Sequence, residues 1–175
     1  MVILLENLIK SKVKTLGELK KIRKARKKEM LVFASGCFDI VHADHIEYLS
    51  WSRSLGDYLV VAMNSDKSVK KLKSNERPIF SLRNRIKLIG SNYFVDYIII
   101  FNEPDTVKII KTLKPDIFAR GKDYVLNKKG ITKEKKKMNQ DERRAVESYE
   151  GKICFLNKLP KYSTTRLIEL IKNES

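Results

Sequence analysis

A 175-residue chain with 42% hydrophobic residues, 7 glycines and 4 prolines is composed like a globular domain with a real core, which excludes a disordered or fibrous polymer. Two cysteines make no disulfide framework, no apolar run approaches the roughly 20 residues of a membrane helix, and "MVILL" lacks a signal-peptide h-region, so a reducing cytoplasm is expected. The net charge of +16 suits a nucleic-acid, membrane-surface or polyanionic small-molecule partner, and equally a lysine-rich background that serves none.

Residues 1–29 read as a basic helical extension and 30–175 as the main domain. Between Lys10 and Lys28 stand ten basic residues against one acid, Glu18. There "TLGELKKIRKARKK" pairs Thr15 with Glu18 as a capping box and sets Leu16, Leu19 and Ile22 on one stripe, which predicts an amphipathic helix. "MLVFA" (30–34) follows as a buried strand, and "DHIEYLSWSRSLG" as a helix ended at Gly56. "YLVVAM" (58–63) is a second strand, "NSDKSVKKLKSNERP" a polar segment with a helical turn, and "SLRNRIKLIGSN" a helix with Ser81 as candidate cap.

"YIIIF" (97–101) is a third strand, and the next helix lies between Pro104 and Pro115. "DIFAR" (116–120) and "GKICFL" (151–156) complete the strands, and "STTRLIELIK" closes the chain as a helix. The charged stretch 124–150 is expected to be partly helical and mostly solvent-facing. Apolar strands alternating with helices predict an α/β fold with a doubly wound parallel sheet of about five strands.

Such sheets bind ligands beyond the carboxyl ends of their strands. The first such turn, "GCFDIVHADH", holds both histidines of the chain, His42 and His45, at helical spacing. Two imidazoles at a helix N-terminus suit charge stabilisation during phosphoryl transfer. Packing or capping histidines would look the same in isolation. A metal site from Cys37, Asp39, His42 and His45 matches no structural zinc spacing, so no protein-held metal is expected. The other turns bring Asn64, Ser65, Asp66, Lys70, Lys71, Lys73 and Arg77, then Arg120, Gly121, Lys122 and Asp123, then Tyr162, Ser163, Thr164, Thr165 and Arg166. Four phosphate-compatible turns on one sheet edge read as a nucleotide site.

"GCFDIVHADH" resembles the G-x-F-D-x-x-H-x-G-H signature of the cytidylyltransferase-like nucleotidyltransferases. "LGDYLVVAMNSDKSVKKLK", "RPI", "VDYIIIF", "LKPDIFARGKDY" and "YSTTRLIE" fall in that family's order, and the members that make ADP-heptose from heptose 1-phosphate look nearest. The resemblance implies a Rossmann-like fold and transfer of AMP from ATP to a sugar 1-phosphate, with Mg²⁺ accompanying the ATP. It implies charge stabilisation by His42 and His45, and phosphate contacts from the main chain of Cys37 and Phe38. Asp39, Asn64, Asp66, Lys73, Arg77 and Arg85 would border the substrate. Arg120, Gly121 and Asp123 would line the base and ribose pocket, and Ser163, Thr164 and Thr165 would hold the β- and γ-phosphates. A homodimer is expected, and a nucleic-acid partner is not, because the basic clusters lie outside the site and lack interleaved aromatics.

The alternatives are a cytidylyltransferase acting on glycerol 3-phosphate or an aminoalcohol phosphate, an FMN adenylyltransferase, or a catalytically impaired nucleotide- or nucleic-acid-binding homologue. Four departures from the family pattern bear on that choice. Asp44 and Lys122 stand in place of glycine, Lys161 precedes "YSTT" where glycine is usual, and Arg83 and Asn84 precede Arg85 without the family's acid. Asp44 would either repel phosphates, at about 1–4 kcal/mol, or accept hydrogen bonds from a ribose.

Overall fold

The computed structural model describes residues 2–121, 138–156, 162 and 164–173. Among them, five strands form one parallel sheet: β1 (Leu31–Gly36), β2 (Tyr58–Asn64), β3 (Tyr97–Phe101), β4 (Ile117–Arg120) and β5 (Lys152–Phe155). Their order is β3-β2-β1-β4-β5. The chain therefore winds outward from β1 to one side, then crosses back to β4 on the other. In sheets of this kind such a reversal is where a ligand crevice is expected, beyond the carboxyl ends of β1 and β4.

Eight helices are described: α1 (Val2–Lys12), α2 (Leu16–Ala25), α3 (Ala43–Ser54), α4 (Asp66–Leu72), α5 (Leu82–Gly90), α6 (Val107–Leu113), α7 (Gln140–Glu147) and α8 (Thr164–Asn173). Alternation along β1 splits the core between the two sheet faces. Leu31 and Phe33 join Leu19 of α2, Ile110 of α6 and Val146 of α7 on one face, while Val32 and Ala34 join Leu49 of α3 and Ile89 of α5 on the other. Burying each large apolar side chain contributes about 1.5–3 kcal/mol, which suffices to hold short helices that would not persist alone.

Local chemistry sets the element ends. Thr15 and Glu18 form a complete capping box at α2. Lys114 closes α6 in the left-handed region (φ 45), with Pro115 after it. Ser81 occupies the cap position of α5 without a side-chain bond, and the Asp66 carboxylate accepts from Leu82 N instead (3.1 Å). At the amino ends of the strands, Asp116 and Asp96 accept from Leu31 N (2.7 Å) and Leu59 N (2.8 Å).

Two packing features lie beyond what sequence periodicity specifies. Helix α1 lies against α5, with Ile9 so close to Gly90 that a Cβ there would come within 3.1 Å of its side chain. The charged stretch is described only from residue 138 on, where it is partly helical; Met138, Glu142, Ala145 and Val146 are buried and the other residues are exposed or half-exposed. No helix among the described residues is long and apolar enough to cross a membrane.

Candidate active site

Strand β1 delivers the chain to Gly36, and the turn that follows is built around Phe38. Phe38 adopts φ 48, a left-handed conformation that non-glycine residues rarely take. Its ring folds back over Gly36, where a Cβ would lie 2.9 Å from the ring edge. The same ring stands 5.4 Å from the His45 ring, centre to centre. Gly36 therefore makes room for Phe38, and Phe38 forms one wall behind His45. That is the physical content of the glycine and phenylalanine in the motif.

His42 caps α3 with extended backbone (φ −137, ψ 174), and His45 occupies the first turn. Their rings lie 4.0 Å apart, centre to centre. His42 N donates to His45 Nδ1 at 3.4 Å, a long bond that still fixes the ring's orientation. Burial, with His42 second, pushes the His45 imidazole down to about 4 against the opposing pull of Asp44. Burial also lowers His42, again opposed by Asp44. Both shifts favour the neutral ring near pH 7. A neutral His45 that accepts at Nδ1 carries its proton on Nε2, ready to donate. His42 Nδ1 is buried without a hydrogen-bond partner among the described residues.

Asp39 and Arg85, expected to border the substrate, are buried supports. The Asp39 side chain is 2% exposed, its Oδ1 accepts from Ile79 N (2.8 Å) and Phe80 N (3.0 Å), and Arg77 Nε lies 2.9 Å from Oδ2. The turn is thereby fastened to the "RPIF" segment, which contains the cis Arg77–Pro78 bond. Arg85 has a side-chain exposure of 0%. It donates to the carbonyls of Cys37 (2.6 Å), Asn64 (2.9 Å) and Phe80 (3.1 Å) and to Asp66 Oδ1 (2.7 Å). One guanidinium thus ties together the turns after β1 and β2 and the start of α5, a geometry for which its planar fork is suited.

Asn64 is likewise buried, donating to Ser68 Oγ and accepting from Cys37 Sγ. Asp66 remains partly exposed at the cleft, while Lys73 is exposed at the end of α4. Arg120 was expected to line the base pocket, but its guanidinium points inward, donating to Ser35 Oγ (3.0 Å) and lying 3.7 Å from the buried Glu142 carboxylate. Gly121 is the open position at the end of β4, where a Cβ would meet nothing within 4 Å among the described residues. Thr164 and Thr165 start α8, whereas Asp123 and Ser163, together with Lys122 and Lys161, lie outside the described residues.

Asp44 has a partner within the protein that its position in the motif does not suggest. Its Oδ2 accepts from the main-chain N–H of Tyr162 at 2.6 Å, joining α3 to the segment that leads into α8. The Tyr162 ring lies 6.4 Å from that of His42. The sequence reading missed Glu142 as the partner of Arg120, because only the fold brings α7 to β4. It also missed Tyr48, whose hydroxyl donates to Ala119 O (2.8 Å) and pins α3 beside β4. Among the described residues, no three His, Cys, Asp or Glu side chains form a group able to hold a metal ion.

The chain is similar in sequence and fold to known proteins. Residues 33–170 match the model of the cytidylyltransferase-like family. The chain is 44% identical over 147 residues to the bifunctional protein HldE of Helicobacter pylori strain J99, covering 84% of this chain and 28% of that protein. It is 40% identical over 165 residues to the HldE of Campylobacter concisus, covering 93% of this chain and 31% of that protein. The chain thus corresponds to under a third of the length of these curated relatives. Among solved structures, the lipopolysaccharide core biosynthesis protein of Thermoplasma volcanium aligns with a TM-score of 0.59 at 32% identity, over 75% of this chain and 99% of that one. Pantoate-beta-alanine ligase of Francisella tularensis shares the fold alone, with a TM-score of 0.55 at 13% identity over 91% of this chain and 76% of that one. A histidine pair held at the first strand-to-helix turn of such a sheet, and a family match spanning both, place the chain in the cytidylyltransferase-like family.

Proposed function

We propose that the protein is a nucleotidyltransferase that moves AMP from ATP to a sugar 1-phosphate, releasing pyrophosphate and forming an ADP-sugar. The single observation that carries this reading is the His42–His45 pair, rings 4.0 Å apart in the turn after β1, with His42 N donating to His45 Nδ1 so that the other ring nitrogen is left to donate. Phosphoryl transfer of this kind needs positioning and charge stabilisation more than covalent chemistry. The substrate phosphate oxygen would attack the α-phosphorus of ATP. A new P–O bond forms as the bond to the bridging α–β oxygen breaks, and the electron pair leaves with pyrophosphate. His45 Nε2–H and the His42 ring would donate to the oxygens on which charge grows.

Preference for adenylyl over cytidylyl transfer is supported by the sequence resemblance to the ADP-heptose-forming enzymes. Mg²⁺ would enter with the triphosphate, which supplies hard oxygen ligands that the described side chains do not assemble on their own. In that role the ion would neutralise phosphate charge, and the half-exposed Asp66 is the carboxylate that the turn after β2 contributes.

A panel of ATP and CTP against sugar 1-phosphates, glycerol 3-phosphate, an aminoalcohol phosphate and FMN tests the reading through pyrophosphate release. Release with ATP and a sugar 1-phosphate is expected. Release with CTP alone would replace the nucleotide assignment, and none with any pair would overturn the enzyme reading.

A further inference from the structure

Asp44 occupies the second position of α3, between the two histidines, and its carboxylate reaches across 118 residues of sequence to Tyr162 N. The negative charge therefore sits at the positive end of α3, where a carboxylate is stabilised. It is also engaged by a main-chain donor instead of being left to face an incoming anion. Tyr162 precedes α8, so this bond is made outside the first turn of that helix. The same junction sets the Tyr162 ring 6.4 Å from His42. A glycine at position 44 would offer no acceptor, so the junction depends on the side chain that distinguishes this motif.

We infer that Asp44 is a positioning residue for triphosphate binding: its carboxylate fastens the approach to α8 onto the start of α3, so that both helix N-termini are aligned before the nucleotide arrives. The inference rests on the nucleotidyltransferase reading for its ligand, but the fastening is a property of the protein alone. Two readouts on the full chain separate the two. Deuterium exchange of the peptide containing Tyr162 reports the junction without any turnover. Steady-state pyrophosphate release reports KM for ATP and kcat.

In Asp44→Gly and Asp44→Ala, exchange at Tyr162 is expected to speed up and KM for ATP to rise about tenfold, the equivalent of one hydrogen bond to a charged acceptor, with kcat changed less. Asp44→Asn retains a carbonyl acceptor and is expected to recover a large part of both effects. The inference is overturned if exchange is unchanged in the glycine variant, or if that variant binds ATP as tightly as the parent or more so, as a repulsive carboxylate would require. Should the parent turn over no substrate, faster exchange together with weaker ATP-induced thermal stabilisation in the glycine variant still supports the fastening, and unchanged values for both contradict it.

Discussion

Burial outweighs the Asp44 carboxylate beside His45 and favours the neutral imidazole. An imidazole in the unfolded chain has its ordinary value near 6.5, while the folded ring is held down to about 4. Below pH 6.5 the unfolded chain takes up a proton that the folded chain refuses, so this group lowers stability progressively as pH falls from 6.5 to 4. The full penalty is on the order of 3 kcal/mol. Urea unfolding between pH 7 and pH 4 is expected to show a shallower stability loss for His45→Gln than for the parent. Equal slopes would mean that the ring is not held in its neutral form by the fold.

At the scale of elements, three turns meet on Arg85, and the site's shape depends on that meeting. Replacing Arg85 with Met leaves the carbonyls of Cys37, Asn64 and Phe80 without their donor, and is expected to cost about 3 kcal/mol by chemical denaturation. Arg85→Lys recovers little, because a point ammonium cannot reach all three carbonyls and Asp66 together. A loss below about 0.5 kcal/mol for the Met variant would contradict the bracing role. The strands were legible because "MLVFA", "YLVVAM" and "YIIIF" are continuous apolar runs, and the turns because glycine and cap residues punctuate them. What the motif could not reveal was which of its polar residues face inward. Asp39 and Arg85 look like ligand residues in a string of letters, yet each satisfies buried main-chain groups that only the folded turn brings within reach. Glu142 was invisible for the same reason, since its partners Arg120 and Thr106 come from other elements.

For the whole molecule, the +16 charge predicts weak attraction to any polyanion. Binding to a generic RNA is expected at 50 mM salt and to be lost by about 200 mM, as counterion release dictates. Binding that persists at 200 mM with sequence preference would point to a nucleic-acid role instead. The sheet order and the histidine pair support the same proposal from opposite ends of scale: the winding reverses beside β1, and the paired rings stand in the turn that follows β1.

The most direct measurement follows ATP and a sugar 1-phosphate by phosphorus NMR, in parent protein and in His45→Ala. The account predicts that the α-phosphorus of ATP reappears in the pyrophosphate bridge of an ADP-sugar, with free pyrophosphate formed in equal amount. It also predicts a rate about 10²–10³-fold lower in the variant, as expected when one preorganised donor is removed. Transfer of the γ-phosphate, or an undiminished rate in a folded His45→Ala protein, would contradict it.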